Sequence, residues 1–102
     1  MQHPRRLRPP GRRPLHPGRF LDSHFLRPSG LSQDALANAL GISRRRVNEL
    51  VRGRRGITPD TALRLATYFK IEPSLWTGLQ SAWDLHQAWL RFDSRSDLSE
   101  SA

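Results

Sequence analysis

Between positions 43 and 55 the chain reads SRRRVNELVRGRR. Arg44, Arg45, Arg46, Asn48, Glu49, Arg52, Arg54 and Arg55 carry hydrogen-bonding groups that match those of nucleic acids. The planar fork of arginine makes paired hydrogen bonds to a phosphate or to guanine O6 and N7. Asparagine can pair with adenine, and glutamate can accept from cytosine or hold an arginine in place. Ser43 and, further back, Gln33 stand at two helix starts, where outward-pointing backbone N–H groups also suit a phosphate.

The whole chain has the same bias. It has 102 residues, a net charge of +8 and 17 basic residues, of which only Lys70 is lysine. A polyanion is the expected partner, and nucleic acid fits better than a membrane surface, because no basic amphipathic helix has a broad apolar face. No cysteine is present, which removes disulfides, thiolate metal sites and cysteine nucleophiles and fits a reducing cytosol; a cytoplasmic protein that binds DNA is expected to be nucleoid-associated. No apolar run approaches membrane-spanning length. The basic N-terminal stretch lacks the apolar run of a secretory signal.

Five helices are expected, and no alternating pattern argues for strands. The first spans about Pro17–Leu26, with Phe20, Leu21, His24 and Phe25 as its stripe and Pro28 with Gly30 ending it. Ser32 caps the second, whose Leu36, Ala37 and Leu40 face inward until Gly41 stops it. Ser43 caps the third and Gly53 ends it. Thr58 caps the fourth, with Pro59 at its first position and Ala62, Leu65, Ala66 and Phe69 inward. The fifth runs from about Pro73 to Arg91. Leu75, Leu79, Ala82, Trp83 and His86 lie on one side of it, with Trp76 and Trp89 beside them. Residues 1–14 read as a disordered basic Pro/Arg-rich arm, 15–92 as the folded domain and 93–102 as a polar tail.

Helical geometry separates the third helix's charges from its packing. At about 100° per residue, Val47, Leu50 and Val51 share one face. Arg45, Glu49 and Arg52 point nearly opposite, Asn48 lies to one side and Arg46 to the other, and Arg44 sits at the helix start. Three arginines in a first turn oppose the helix dipole, a cost that bound phosphates would relieve. Ala37 allows close approach of a crossing helix, and Gly41 makes the tight turn. Together these features spell a helix-turn-helix, whose second helix enters the DNA major groove. Arg44 and Arg45 are then the candidates for guanine contacts, and Arg52, Arg54 and Arg55 for flanking backbone. A solvated charged face is the alternative for each.

One helix-turn-helix reads too few base pairs for useful selectivity, so a two-fold dimer is expected. The fifth helix has more apolar surface than one core needs. Trp83, Leu85, Ala88, Trp89 and Phe92 are the expected interface.

The run from HPGRF to SAWDL, covering about residues 14–90, resembles the HigA antitoxin family, near the VapI-type members of the Xre/Cro regulators. The resemblance rests on HPG at His16–Gly18, GLSQ at Gly30–Gln33, RVNELVRGRRGITPDTALRLA, and LW followed by LQ near Trp76. It implies an all-α, five-helix, lambda-repressor-like domain, homodimeric on palindromic operators upstream of its own operon. It also implies neutralisation of a HigB-type toxin, a ribosome-dependent mRNA endonuclease, and repression together with it. The family's DNA-contacting positions match Ser43–Arg46, with Asn48 and Glu49 one turn on. Arg19 departs from the acid usual after HPG, and the arginine-proline arm of residues 1–13 is atypical.

Other chemistry finds little support. His3, His16, His24 and His86 lack ligand partners at zinc-site spacing, so no metal or cofactor is expected. His24 and His86 are expected to pack at helix edges. Asp22, Asp34, Asp60 and Asp84 form no acid pair, and Ser23, Ser32 and Ser43 suit caps and turns, so an enzyme is not expected. A stand-alone Xre-type regulator without a toxin is the nearest alternative. An RNA-binding module is disfavoured because the deep, narrow RNA major groove does not admit such a helix.

Overall fold

The computed structural model describes residues 13–101, with side chains through Asp93. Residues 1–12, most of the arm expected at 1–14, lie outside the described residues, as does Ala102. Among the described residues there are five helical segments and no strand. Helix α1 covers residues 17–29, α2 Gln33–Leu40, α3 Arg44–Val51, α4 Pro59–Phe69 and α5 Pro73–Ser101. Helix α3 packs on α2 and α1, α4 packs on α2, and α5 lies across α4 and α1.

Local signals set most of the boundaries. Ser32 Oγ accepts the Ala35 N–H at 3.0 Å, Ser43 Oγ the Arg46 N–H at 3.1 Å, and Thr58 Oγ1 the Thr61 N–H at 3.2 Å. Each satisfies an N–H that the first helical turn leaves unpaired. Gly41 adopts the left-handed conformation, φ 72°, that closes α2 and starts the tight turn into α3.

Helix α1 differs from expectation. It passes through Pro28 and ends at Gly30, not at Leu26. Residues Asp22–Leu26 are wound as a π-helical turn, with the Arg27 N–H donating to the Asp22 carbonyl. The inward face therefore advances by one residue, from Leu21 to Leu26, and both leucines are buried. Phe20 and Phe25 are partly buried, while His24 is exposed and stacks on Phe20 at 4.2 Å. A simple 3.6-residue stripe cannot anticipate that shift.

The core joins Leu21, Leu26, Leu36, Leu40, Val47, Leu50, Ile57, Ala62, Leu65 and Trp76. Burying each large side chain contributes about 1.5–3 kcal/mol relative to exposure. Trp76, expected beside the inward strip of α5, sits at its centre and is fully buried. Its ring meets Phe25 at 5.4 Å and Phe20 at 5.9 Å. Helix α5 continues to Ser101 instead of stopping near Arg91. Nothing in DSRSDLSES breaks a helix, since it contains neither glycine nor proline.

Gly18 explains how α1 and α3 meet. A Cβ at this position would fall on the carbonyl oxygen of Leu50, so only glycine permits the approach. His16 caps α1, its Nδ1 accepting the Gly18 N–H at 2.9 Å, and its ring meets Trp83 edge-on at 5.1 Å.

Candidate nucleic-acid interface

Val47 and Leu50 are fully buried and anchor α3. The opposite face of the helix is open. Arg45 is the most exposed of its triplet, its side chain 87% accessible, and Arg44 is also exposed. Arg45 Nε lies 3.2 Å from Glu49 Oε2, and Arg55 Nη2 lies 2.9 Å from Glu49 Oε1. Glu49 thus holds one arginine from α3 and one from the following loop. Those hydrogen bonds, Arg55 first and Arg45 second, keep its carboxyl below the ordinary glutamate range.

The first helix of the motif also contributes. Asn48 Nδ2 donates to Gln33 Oε1 at 3.1 Å, joining α3 to the start of α2. That bond leaves the Gln33 amide N–H groups free to donate. Ser43 Oγ accepts in its cap, so its proton remains available to a phosphate oxygen. Arg44 Nε lies 3.3 Å from Asp34 Oδ1. These ion pairs lie at the surface, where solvent screens them, so phosphates can displace them at little cost.

Arg46 departs from its two neighbours. Its side chain is only 28% accessible. Nη2 donates to Thr61 Oγ1 at 2.6 Å and lies 3.9 Å from Asp60 Oδ2. Of the three arginines expected to meet DNA at the start of α3, Arg46 thus turns away from Arg44 and Arg45, into the start of α4. Its place on the wheel is off the outward face, and Thr61 gives its long side chain a nearby acceptor. Arg52 and Arg54 are exposed, and among the described residues neither has a carboxylate within ion-pairing distance.

Several supporting residues escaped the sequence reading. Arg64 Nη1 donates to the Leu40 carbonyl at 2.8 Å while Nε lies 2.9 Å from Asp60 Oδ2, tying α4 to the turn of the motif. The Asp60–Arg64 spacing was legible as an i,i+4 pair, but its reach to Leu40 was not. Gln80 Oε1 accepts the Ile57 N–H at 2.7 Å and fastens the loop after α3 to α5. No local signal marks that contact.

Of the expected interface residues, Leu85 is 57% and Phe92 53% accessible. Ala88 is exposed and Trp89 half-buried, its ring 6.0 Å from that of His86. Leu85, Ala88, Trp89 and Phe92 recur at helical spacing on one side of α5. Trp83 is separate from them, turned back against His16 of the same chain. Among the described residues no cluster of three or more His, Asp or Glu could hold a metal ion, and no helix is long and apolar enough to cross a membrane.

Comparison with known proteins matches this geometry. A helix-turn-helix family profile covers residues 25–76. Virulence-associated protein I of Dichelobacter nodosus is 51% identical over 74 residues, covering 72% of this chain and 68% of that protein. Antitoxin HigA-1 of Vibrio cholerae is 35% identical over 97 residues, covering 94% of this chain and 85% of that protein. The structure of the Pseudomonas aeruginosa antitoxin HigA with the higBA promoter superposes with a TM-score of 0.78 at 41% identity, covering 81% of this chain and 90% of that one.

Proposed function

The chain belongs to the helix-turn-helix family, among its HigA-type antitoxins and regulators, and from that premise we propose that it is a dimeric operator-binding repressor that also neutralises a HigB-type mRNA-endonuclease toxin. The observation that carries the DNA-binding half is the exposed face of α3. Its arginines stand on a helix fixed from behind by Val47 and Leu50 and from the side by Gln33. A rigid platform of this kind holds base-reading groups in place before DNA arrives, so little ordering entropy is spent on binding.

In this reading Arg44 and Arg45 read guanine edges. Asn48 reads adenine, and Glu49 sets the position of Arg45. Gln33, Ser43, Arg52, Arg54 and Arg55 grip phosphates. Arg46 acts indirectly, by holding α3 against α4. Two copies pair through Leu85, Ala88, Trp89 and Phe92 on α5 and place two recognition helices on half-sites about one helical turn apart. The protein works in the cytoplasm, on the nucleoid. The toxin role rests on the family alone.

The test is fluorescence anisotropy with duplex from upstream of the gene against a scrambled duplex, across a salt series. Preference for the upstream duplex is expected. Equal, steeply salt-dependent binding to both would overturn autorepression. Co-expression with the adjacent reading frame separates the two halves. Suppression of a toxic neighbour supports the antitoxin role, and a harmless neighbour that does not co-purify leaves a stand-alone regulator.

A further inference from the structure

Six arginines in the described chain face a carboxylate: Arg27, Arg44, Arg45, Arg46, Arg55 and Arg64. Arg13, Arg19, Arg52, Arg54 and Arg91 face none within ion-pairing distance among the described residues, and three of them, Arg13, Arg19 and Arg52, line one open cleft of about 740 Å³. Arg13 comes from the segment before α1, Arg19 from α1 and Arg52 from the end of α3. Unpaired guanidinium groups repel one another, so folding alone gives no reason to collect them in one place. The cleft also holds Asp22, but Arg27 already answers that carboxylate at 3.0 Å.

The remaining wall mixes apolar Pro14, Leu15 and Trp83 with one further group that suits an oxyanion. His16 lines the cleft, and its Nδ1 is occupied by the Gly18 N–H. A neutral ring so engaged carries its proton on Nε2, a further donor. Burial, then the charge of Arg19, favours that neutral form. Arg52 places the cleft beside the exposed face of α3, on the side of the helix that carries Arg45 and Glu49.

We infer that this cleft is a phosphate-binding site, taking a backbone phosphate of DNA beyond the bases that α3 reads. The inference rests on the DNA-binding reading above and extends it: the start of α1 supplies grip that the helix-turn-helix itself does not.

The test compares the wild-type full chain with Arg19→Glu and Arg13→Gln, by anisotropy on the upstream and scrambled duplexes across salt. Arg19→Glu is expected to weaken both duplexes by the same factor, leave their ratio unchanged, and lower the log–log salt slope by about one to two. Arg13→Gln should lower the slope by about one. Circular dichroism establishes that each variant is folded, and Arg13→Gln carries the test if Arg19→Glu is not. An unchanged slope in a folded variant overturns the assignment to DNA. A second arm titrates inorganic pyrophosphate into the DNA-free protein and follows the Trp83 indole N–H by NMR. A shift that Arg19→Glu removes, with DNA slopes unchanged, assigns the same site to a free phosphate compound. No shift and no slope change removes the site. If the wild type fails to prefer upstream DNA, the operator reading falls, while the slope comparison still judges the cleft.

Discussion

Arg46 on α3 donates to the hydroxyl oxygen of Thr61 on α4 across 2.6 Å, and so belongs to the packing of the motif although it lies within a run of exposed arginines. Thr61 is buried, so removing Arg46 takes away a charge-assisted bond and leaves Thr58 Oγ1, at 3.2 Å, as the remaining partner of that hydroxyl. Arg46→Ala should cost about 1–2 kcal/mol of stability in urea denaturation and spare the preference for upstream DNA. Arg45→Ala should stay within about 0.5 kcal/mol and lose about 1–3 kcal/mol of discrimination at one base pair. The reverse pattern would exchange the two roles.

Glu49 restrains Arg45 and Arg55 together. Glu49→Gln should release both arginines, raise affinity for scrambled DNA and narrow its gap from upstream DNA. Its carboxyl titrates below the ordinary 4.5 because both arginines favour the charged form. The pairing therefore stands at neutral pH and fails only as pH falls through that lowered value. Carbon-detected NMR titration of Glu49 reads it directly, and a midpoint at or above the ordinary glutamate value would contradict the pairing.

His16 gives stability the opposite ionic logic. Its folded-state pKa lies below the ordinary 6.5, through burial first and Arg19 second, against a smaller opposing effect of Asp84. The unfolded chain therefore binds the proton more tightly. The contribution is complete above the unfolded value and is lost as pH falls through it toward the folded one. Thermal melts should show stability dropping as pH is lowered from 7 toward 5. His16→Asn keeps a capping acceptor and should flatten that slope, whereas His16→Ala should cost about 1 kcal/mol at neutral pH. An equal slope in His16→Asn would assign the effect elsewhere.

Gly18 has no room for a side chain, because a Cβ would meet backbone rather than a yielding side chain. Gly18→Ala should destabilise by at least about 2–3 kcal/mol, since α1 must lift from the end of α3. Chemical denaturation measures it, and a change under about 1 kcal/mol would mean that the two helices can separate cheaply.

Leu85 and Phe92 present apolar surface to solvent from one side of α5. Sedimentation at micromolar concentration should find a dimer, and Leu85→Glu or Phe92→Glu should yield a folded monomer with weaker operator binding. A wild-type monomer at that concentration would remove α5 as the interface.

The sequence by itself determined the all-α class, the turn at Gly41 and the caps at Ser32, Ser43 and Thr58. Each is a local relationship, an N–H three residues from its acceptor or a backbone angle cheap only for glycine. The buried face of α3 was legible for the same reason, because helical period alone puts Val47 and Leu50 together. The family followed from residues that cluster along the chain. Tertiary structure decided the rest. It sent Arg46 to Thr61, turned Trp83 back onto His16, moved Trp76 to the centre of the core and advanced the inward face of α1 to Leu26 through a π-turn. A long flexible side chain takes whichever partner another helix presents, and a hydrophobic stripe records only which face is apolar. Neither records what the fold will bring against it, and for Arg46 that contact separates a structural arginine from the arginines beside it that face solvent.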